Sequence, residues 1–265
     1  MRHHTARVLR LVLATGMLAS LTACENRAEV VLRPGSQPET VTMQGGRIVS
    51  GFAAGQLRYD VNLTAFRIAR HPTTRGEFGE CVNRGACVAP GMNACGSGTL
   101  MDGPNYAQDV SQDVPVTCVG VSGAQAYCAW VGGRLPTLVE WLAAARGTEP
   151  QRFAWGKSSA TCAQHALGAE QEGLECARPD GPNLIVGLHK PGAAPSGMED
   201  VLLTPGELLS PATDTRFSAC GPDYPACVVR GLEPGAIDSV QPVLKHADGG
   251  EYSSTAYGFR CVWVN

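Results

Sequence analysis

The most informative segment of this chain is Val119-Gly-Val-Ser-Gly-Ala-Gln-Ala-Tyr-Cys-Ala-Trp-Val-Gly-Gly-Arg-Leu-Pro-Thr-Leu-Val-Glu-Trp-Leu-Ala-Ala-Ala-Arg-Gly147. Its first half predicts a helix over 122–131, with Ser122 as the N-cap and Gln125 completing a capping box three residues later. Gly132-Gly133 comes next, and glycine after an apolar helical run is typical of a helix end. The segment therefore begins with a short helix that a glycine turn terminates.

The second half of the same segment predicts another helix, from Thr137 through Arg146. Thr137 is the expected N-cap, and Glu140 lies three residues after it, which again matches a capping box. We expect the guanidinium of Arg134, just before this helix, to pair with a carboxylate or with backbone carbonyls at the junction. Apolar residues at helical spacing predict one buried face, in which the tryptophan fills core: Leu138, Trp141, Leu142 and Ala145.

Two segments nearer the N-terminus have strand patterns. Residues 41–51 predict a strand broken by glycines, and residues 59–68 alternate apolar and polar side chains, which is typical of a half-buried strand. Pro72 ends the second strand, and a short helix follows it. The cap and the inward-facing residues expected for that helix are Thr73 or Thr74, Phe78 and Val82.

Together with the C-terminal segment Tyr257-Gly-Phe-Arg-Cys-Val262, these motifs resemble the formylglycine-generating (sulfatase-modifying factor) family. The resemblance covers residues 43–265; it is strong at 119–156 and 257–262 and weak at 157–250. It implies an α+β fold of the C-type-lectin-like, sulfatase-modifying factor type. The 32 Gly and 18 Pro independently predict a loop-rich protein with few long helices.

Cys24 aside, the chain contains ten cysteines, and an even number in an exported chain predicts disulfides. Many connectivities are open; close spacing favours four local bridges, Cys81–Cys87, Cys95–Cys118, Cys162–Cys176 and Cys220–Cys227. The family resemblance implies a fifth, Cys128–Cys261, because the family's Ala-Tyr-Cys and Gly-Phe-Arg-Cys cysteines pair. The cysteine spacing and the scattered histidines support neither a zinc site nor a non-haem iron triad.

The N-terminus predicts a lipoprotein signal peptide over residues 1–23. A basic start precedes the apolar run 11–21, which is too short to span a bilayer comfortably. Leu21-Thr-Ala-Cys24 resembles a bacterial lipobox, which implies cleavage before Cys24 and lipidation of its thiol; ordinary secretion is the alternative. Residues 24–42 predict a tether to a domain at 43–265. Glu25 favours the outer membrane, so we expect a lipid-anchored protein of the bacterial cell envelope.

The catalytic cysteines that the resemblance implies are missing at the matching position. Active family members carry a Cys-x4-Cys pair, between an Arg-Gly-Gly-Ser strand and Gly-Phe-Arg, that binds copper(I) and oxidises a substrate cysteine to formylglycine. Here Arg230-Gly231 matches the start of that strand, yet no cysteine lies between Gly231 and Gly258. Cys220 and Cys227 come earlier, spaced Cys-x6-Cys; they are weak catalytic candidates, and the alternative is that they close a surface loop. Copper is therefore not expected.

The resemblance also implies a calcium site. The family places one in a segment ending Gly-Asn-x-Trp-Glu-Trp, which here reads Asp200-Val-Leu-Leu-Thr-Pro-Gly-Glu-Leu-Leu209. Asp200 and Glu207 keep the spacing of the two side-chain ligands, and the carbonyls of Leu203 and Pro205 fall where the family offers backbone oxygens. Calcium prefers such oxygen ligands. The alternative is a solvated pair of acids in a loop.

Three functions remain open. A net charge of −3 with 17% charged residues gives no basic stripe for nucleic acid. The first function is a non-catalytic binding or scaffold module, held at the membrane by its lipid anchor and binding an extracytoplasmic protein or a glycan. The second is a sulfatase-modifying oxidase or a related modifying enzyme. The third is a purely structural lipoprotein of the envelope.

Overall fold

The computed structural model describes residues 35–51, 58–89, 112–147, 185–188, 190–201, 206–210, 227–229, 240–242 and 257–264. The chain divides into two compact units, residues 1–31 and 32–265, and every described residue lies in the second. The helices are Arg75–Asn83 (α1), Val121–Trp130 (α2), Leu138–Arg146 (α3) and the single-turn 3-10 helix Lys190–Gly192. The strands are Thr40–Met43 (β1), Gly46–Gly51 (β2), Arg58–Leu63 (β3), Phe66–Ala69 (β4), Gly206–Leu209 (β5), Cys227–Val229 (β6), Val240–Pro242 (β7), Tyr257–Phe259 (β8) and Val262–Val264 (β9).

The described strands form three small sheets, which gives the predicted α+β class. The first has the order β1-β4-β9 and is antiparallel, and the second is the antiparallel pair β2-β3. The third has the order β7-β6-β5-β8, in which β5 and β8 run parallel. The two strands of the C-terminal motif therefore belong to different sheets, and the residues between them join the sheets.

The predicted strand over 59–68 is divided into β3 and β4. Met43 lies opposite Phe66 and Gly46 opposite Leu63, so both strand pairs follow one register with a bend between them. The bend needs glycine, because a Cβ at Gly45 would lie 2.7 Å from the backbone nitrogen of Ala65. The predicted glycine break within 41–51 is confirmed by the gap between β1 and β2.

Two of the three helices start as their capping residues predict. In α1, Thr74 Oγ1 accepts the Glu77 N–H at 3.2 Å and Glu77 Oε2 accepts the Thr74 N–H at 2.8 Å. In α3, Thr137 and Glu140 make the same reciprocal pair at 3.3 and 2.8 Å. Both capping boxes satisfy backbone donors that a helix N-terminus would otherwise leave exposed.

The start predicted for α2 was wrong. Its N-cap is Gly120, which makes no side-chain capping bond, and Ser122 lies in the first turn, exposed. The chain turns just before the helix at Cys118, whose φ is 62°. After this turn, the buried Val121 is the first residue of the helix. Ser122 is therefore already inside the helix and cannot be its N-cap.

Among the described residues, the buried apolar side chains form two clusters. One surrounds α3 and β4 and includes the predicted apolar face: Phe66, Ile68, Leu138, Trp141, Leu142, Ala145 and Met198. The other lies between α1, α2 and β8: Phe78, Val121, Tyr127, Cys128, Leu208, Phe259 and Trp263. The rings of Tyr127 and Phe259 meet edge to face with centroids 5.6 Å apart, an arrangement that aromatic quadrupoles favour.

Two of the five predicted disulfides lie within the described residues. Cys81 is bridged to Cys87, and Cys128 to Cys261, which joins α2 to the segment between β8 and β9. Cys118 is also disulfide-bonded, and its predicted partner Cys95 lies outside the described residues. The remaining predicted bridges involve Cys162, Cys176 and Cys220, also outside, and Cys227, at the start of β6.

The chain joins the domain earlier than residue 43, the predicted boundary. The Gly35 N–H donates to the carbonyl of Trp130 at 3.3 Å, and β1 begins at Thr40. Val41 is buried against the core. The last part of the predicted tether therefore packs on the domain, where β1 forms an edge of the first sheet.

Candidate functional site

The centre of the described domain holds a buried ion pair between Glu207 of β5 and Arg260, which directly follows β8. Arg260 Nε donates to Glu207 Oε2 and Nη2 donates to Oε1, both at 2.7 Å. The two side chains are 0% and 5% exposed. Such bidentate, charge-assisted bonds are among the strongest polar contacts in proteins.

Neighbouring groups satisfy the remaining hydrogen-bonding capacity of this pair. Trp141 Nε1 donates to Glu207 Oε2 at 2.8 Å, so the predicted core tryptophan also holds the carboxylate. Arg260 Nη1 donates to the carbonyl of Arg70 at 2.9 Å, and Nη2 donates to the carbonyl of Glu199 at 3.2 Å. Arg260 therefore joins β5, the end of β4 and residues 190–201. The sequence marked the Gly-Phe-Arg motif but gave no signal for its partner.

A second pair lies at the start of α3, where the sequence predicted one. Arg134 Nη1 donates to Glu140 Oε2 at 2.8 Å and Nη2 donates to Oε1 at 2.6 Å. Burial opposes ionisation of Glu140, but bonds from Arg134 and Thr137 outweigh it and lower the pKa of this carboxyl. The expectation that Arg134 pairs with a carboxylate at the helix junction is confirmed.

Asp200 is the least satisfied carboxyl of this region. It is buried and has a left-handed backbone, with φ 57°. Its Oδ2 accepts the Gly187 N–H at 2.7 Å, whereas its buried Oδ1 has no hydrogen-bond partner among the described residues. Burial raises the pKa of Asp200 despite the Gly187 N–H and the nearby Arg260 cation. An orphaned carboxylate oxygen with a burial penalty is suited to bind a cation or a proton.

The predicted calcium ligands differ in how well they fit a cation. The free Oδ1 of Asp200 fits. Glu207 does not fit, because both its oxygens accept from Arg260 and a guanidinium at 2.7 Å repels a second cation. Leu203 and Pro205 lie outside the described residues, and within those residues no group of three His, Cys, Asp or Glu is placed to hold a metal. Calcium at Asp200 stays a prediction.

The weak catalytic candidates, Cys220 and Cys227, cannot be placed relative to each other within the described residues. Cys220 and the Arg230-Gly231 match lie outside the described residues, and Cys227 begins β6 between β5 and β7. The five cysteines whose side chains are described are all in disulfides: Cys81, Cys87, Cys118, Cys128 and Cys261.

The predicted lipidation site, Cys24, also lies outside the described residues. In the part of the chain that the structure covers, no helix has the length and apolar character needed to cross a membrane.

Solved structures with the same architecture include CarF, with a TM-score of 0.58 and 19% identity over 86% of this chain and 99% of that chain. PvdO from Pseudomonas aeruginosa gives a TM-score of 0.58 and 18% identity over 85% of this chain and 94% of that chain. These likenesses show the fold, which is the predicted α+β fold of the sulfatase-modifying factor type.

Three relatives bear on function. Hercynine oxygenase of Mycobacterium tuberculosis is 30% identical over 243 residues, 77% of this chain and 53% of that protein. Formylglycine-generating enzyme of the same organism is 28% identical over 167 residues, 44% of this chain and 54% of that protein. Inactive C-alpha-formylglycine-generating enzyme 2 of Bos taurus is 46% identical over 55 residues, 20% of this chain and 18% of that protein. The chain spans about half the length of the first two.

A comparison with protein families identifies the family of this chain. Residues 27–183, more than half of the chain, match the sulfatase-modifying factor enzyme 1-like domain. This range contains both capping boxes and the Arg134–Glu140 junction described above. The chain belongs to the sulfatase-modifying factor enzyme 1-like family.

Proposed function

We propose that this chain is a non-catalytic member of its family, in which the fold serves as a binding or scaffold module. The observation that carries the proposal is that no cysteine lies between Gly231 and Gly258, where the family resemblance puts the copper-binding pair. Copper(I) prefers thiolate ligands, and oxidation of a substrate thiol through a Cys pair requires both sulfurs. A chain without that pair keeps the fold but not this chemistry.

A relative whose name describes an inactive protein supports the proposal. The chain is 46% identical over 55 residues to inactive C-alpha-formylglycine-generating enzyme 2 of Bos taurus. The family fold therefore occurs in a protein that is named for lacking the activity. In this chain residues 157–250, where the family resemblance is weak, would supply the surface for an extracytoplasmic protein or a glycan.

The second candidate is a sulfatase-modifying oxidase or a related modifying enzyme. Its support is the similarity to proteins named hercynine oxygenase and formylglycine-generating enzyme. It requires Cys220 and Cys227, or another group, to perform the role of the missing copper-binding cysteine pair. The two candidates differ in one measurable property, which is whether two thiols outside the structural disulfides are free or easily reduced.

The module would be displayed at a membrane. The lipobox-like Leu21-Thr-Ala-Cys24 supports lipidation of Cys24, and Glu25 favours the outer membrane. Gly35, the first described residue, lies eleven positions after Cys24 in the sequence. Because an extended chain spans at most about 3.6 Å per residue, the domain would stay within about 40 Å of the lipid surface.

Mass spectrometry of the mature, non-reduced protein tests both parts of this proposal. We expect an N-terminal Cys24 carrying a lipid mass and ten bridged cysteines, with Cys220 joined to Cys227 and resistant to mild reductant. Free or selectively reducible thiols at these two positions, with Cys128–Cys261 intact, would favour the oxidase, and copper(I) titration would then show binding. An unmodified N-terminus after residue 23 would remove the lipid anchor and leave the assignment as a binding module intact.

We also propose that Asp200 binds Ca²⁺. Millimolar Ca²⁺ is expected to raise the melting temperature of the wild type by a few degrees and to leave Asp200→Asn unchanged, because a ligand that binds only the folded state stabilises it. Mg²⁺ serves as the control cation. An equal Ca²⁺ shift in both proteins would show that Asp200 is not a ligand.

The same variant has an expected pH dependence without calcium. Because burial raises the pKa of Asp200, folding favours its neutral form. That stability is fully present below the pKa of an unfolded aspartate, about 3.9, and is lost as pH rises through the higher folded-state value. Asp200→Asn should therefore melt a few degrees above the wild type at pH 7 and equal it near pH 3. A difference in melting temperature that persists at pH 3 would show that titration of Asp200 is not its cause.

A further inference from the structure

Residues 35–39, here called the strap, lie against the domain at three points. The Gly35 N–H donates to the Trp130 carbonyl, and the fit is close, because a Cβ at Gly35 would lie 2.6 Å from the indole ring. Gln37 Oε1 accepts a bond from Arg67 Nη1 at 3.0 Å. The third point is Glu39, which contacts Arg70 through both its backbone and its side chain. The strap is therefore bound along its whole length.

Arg70 joins the strap to the segment 190–201, here called the Asp200 loop. On the strap side, the Arg70 N–H donates to the Glu39 carbonyl at 2.8 Å, and Nε lies 2.9 Å from Glu39 Oε1. On the loop side, Nη1 donates to the Gly197 carbonyl at 3.2 Å and lies 3.6 Å from Glu199 Oε1. The Arg70 carbonyl accepts the Glu199 N–H at 2.7 Å. One residue thus contacts both segments with both its backbone and its side chain.

The backbone at Asp200 depends on these contacts. Its φ of 57° is unfavourable for a residue with a side chain, and such a conformation persists only where neighbouring groups fix it. Glu199, directly before it, is held by the Arg70 carbonyl and by Arg260 Nη2. A change at Arg70 therefore acts on the residue next to Asp200.

We propose that the strap is a conformational latch: Glu39 holds the Arg70 guanidinium against the Asp200 loop, and displacement of the strap releases that loop. Through this latch, a force on the N-terminal segment, or binding of that segment by a partner, would act on Asp200 and the buried Glu207–Arg260 pair. It requires no bound cation at Asp200 and no lipid at Cys24.

Hydrogen exchange in the full-length protein tests the latch. Glu39→Ala removes a carboxylate that is 66% exposed, so the variant is expected to fold. We expect amide exchange within 193–201 to accelerate about two- to fivefold, the range that exposed ion pairs produce. The matched control is Gln37→Ala, in the same strap but bonded to Arg67, which should leave the loop unchanged. Amides of α3 should not respond in either variant.

Salt gives a second readout in the wild type. Raising the ionic strength shortens the screening length to a few ångström, so it should accelerate loop exchange in the wild type. The acceleration should be smaller in Glu39→Ala, in which only the Arg70–Glu199 pair remains to be screened. Unchanged or slower loop exchange in Glu39→Ala would overturn the latch. An equal acceleration in Gln37→Ala would also overturn it, because the Glu39 carboxylate would then not be the group that couples the strap to the loop.

Discussion

Glu207→Gln is expected to destabilise the protein by about 3–5 kcal/mol, because it leaves the Arg260 guanidinium buried without its counter-charge. Arg260 is fully buried, and both its short bonds to a side chain end on Glu207. Glutamine keeps the size of the side chain and one acceptor oxygen, which can face Trp141 and Arg260 Nε. Its NH₂ group would then face the Arg260 Nη2 donor, so the change removes one hydrogen bond together with the charge. For a domain of this size the loss corresponds to a decrease of about 10 °C in melting temperature.

The control is the ion pair between Arg47 and Asp60, whose side chains are 68% and 49% exposed. Asp60→Asn makes the same carboxylate-to-amide change in a pair that water screens, so it should destabilise the protein far less than Glu207→Gln. Urea unfolding of both variants gives the comparison. Equal losses of unfolding free energy in the two variants would mean that burial does not increase the cost of breaking the Glu207–Arg260 pair.

A double-mutant cycle with Arg260→Met tests the pairing itself. Removing either partner leaves the other buried without its opposite charge, so the double variant should lose less stability than the sum of the two single variants. Additive losses would show that the residues act independently, despite the 2.7 Å bonds between them.

The capping interactions show which parts of this fold could be predicted from sequence. Thr137 and Glu140 are three residues apart, and a capping box depends on little beyond that spacing, so the prediction held. Ser122 and Gln125 have the same spacing, yet α2 starts at Val121 with Gly120 as its cap. The difference is tertiary: the turn at Cys118 and the burial of Val121 set the start of α2, and neither can be read from local spacing.

The candidate site was predicted in part. The family resemblance singled out Asp200 and Glu207, two carboxylates that the structure buries. Their roles could not be assigned from spacing, because Arg260 follows Glu207 by 53 residues and Trp141 precedes it by 66. A carboxylate that looks like a metal ligand in sequence becomes half of an ion pair once the fold places an arginine beside it. Of the two, only Asp200, whose Oδ1 has no donor among the described residues, keeps the character that the resemblance indicated.

Replacing Cys128 and Cys261 by alanine is expected to destabilise the protein by about 5 kcal/mol, because this bridge closes a long loop in the unfolded chain. The two cysteines are 133 residues apart, and both are buried. The bridge also joins α2 to the residue that follows Arg260, and both cysteines lie in the cluster between α1, α2 and β8. Urea unfolding under non-reducing conditions measures the change, and the dependence of the unfolding free energy on urea should steepen as the unfolded chain expands.

The matched control is the Cys81–Cys87 bridge, which is buried as well but closes a separation of 6 residues. The chain-entropy relation gives about 2 kcal/mol for so short a loop. Because both double variants remove two buried sulfurs, the loss of packing is similar, and the difference between them reports the loop length. Equal losses would contradict the entropic account and would mean that packing around the sulfurs, rather than restriction of the unfolded chain, determines what these bridges contribute.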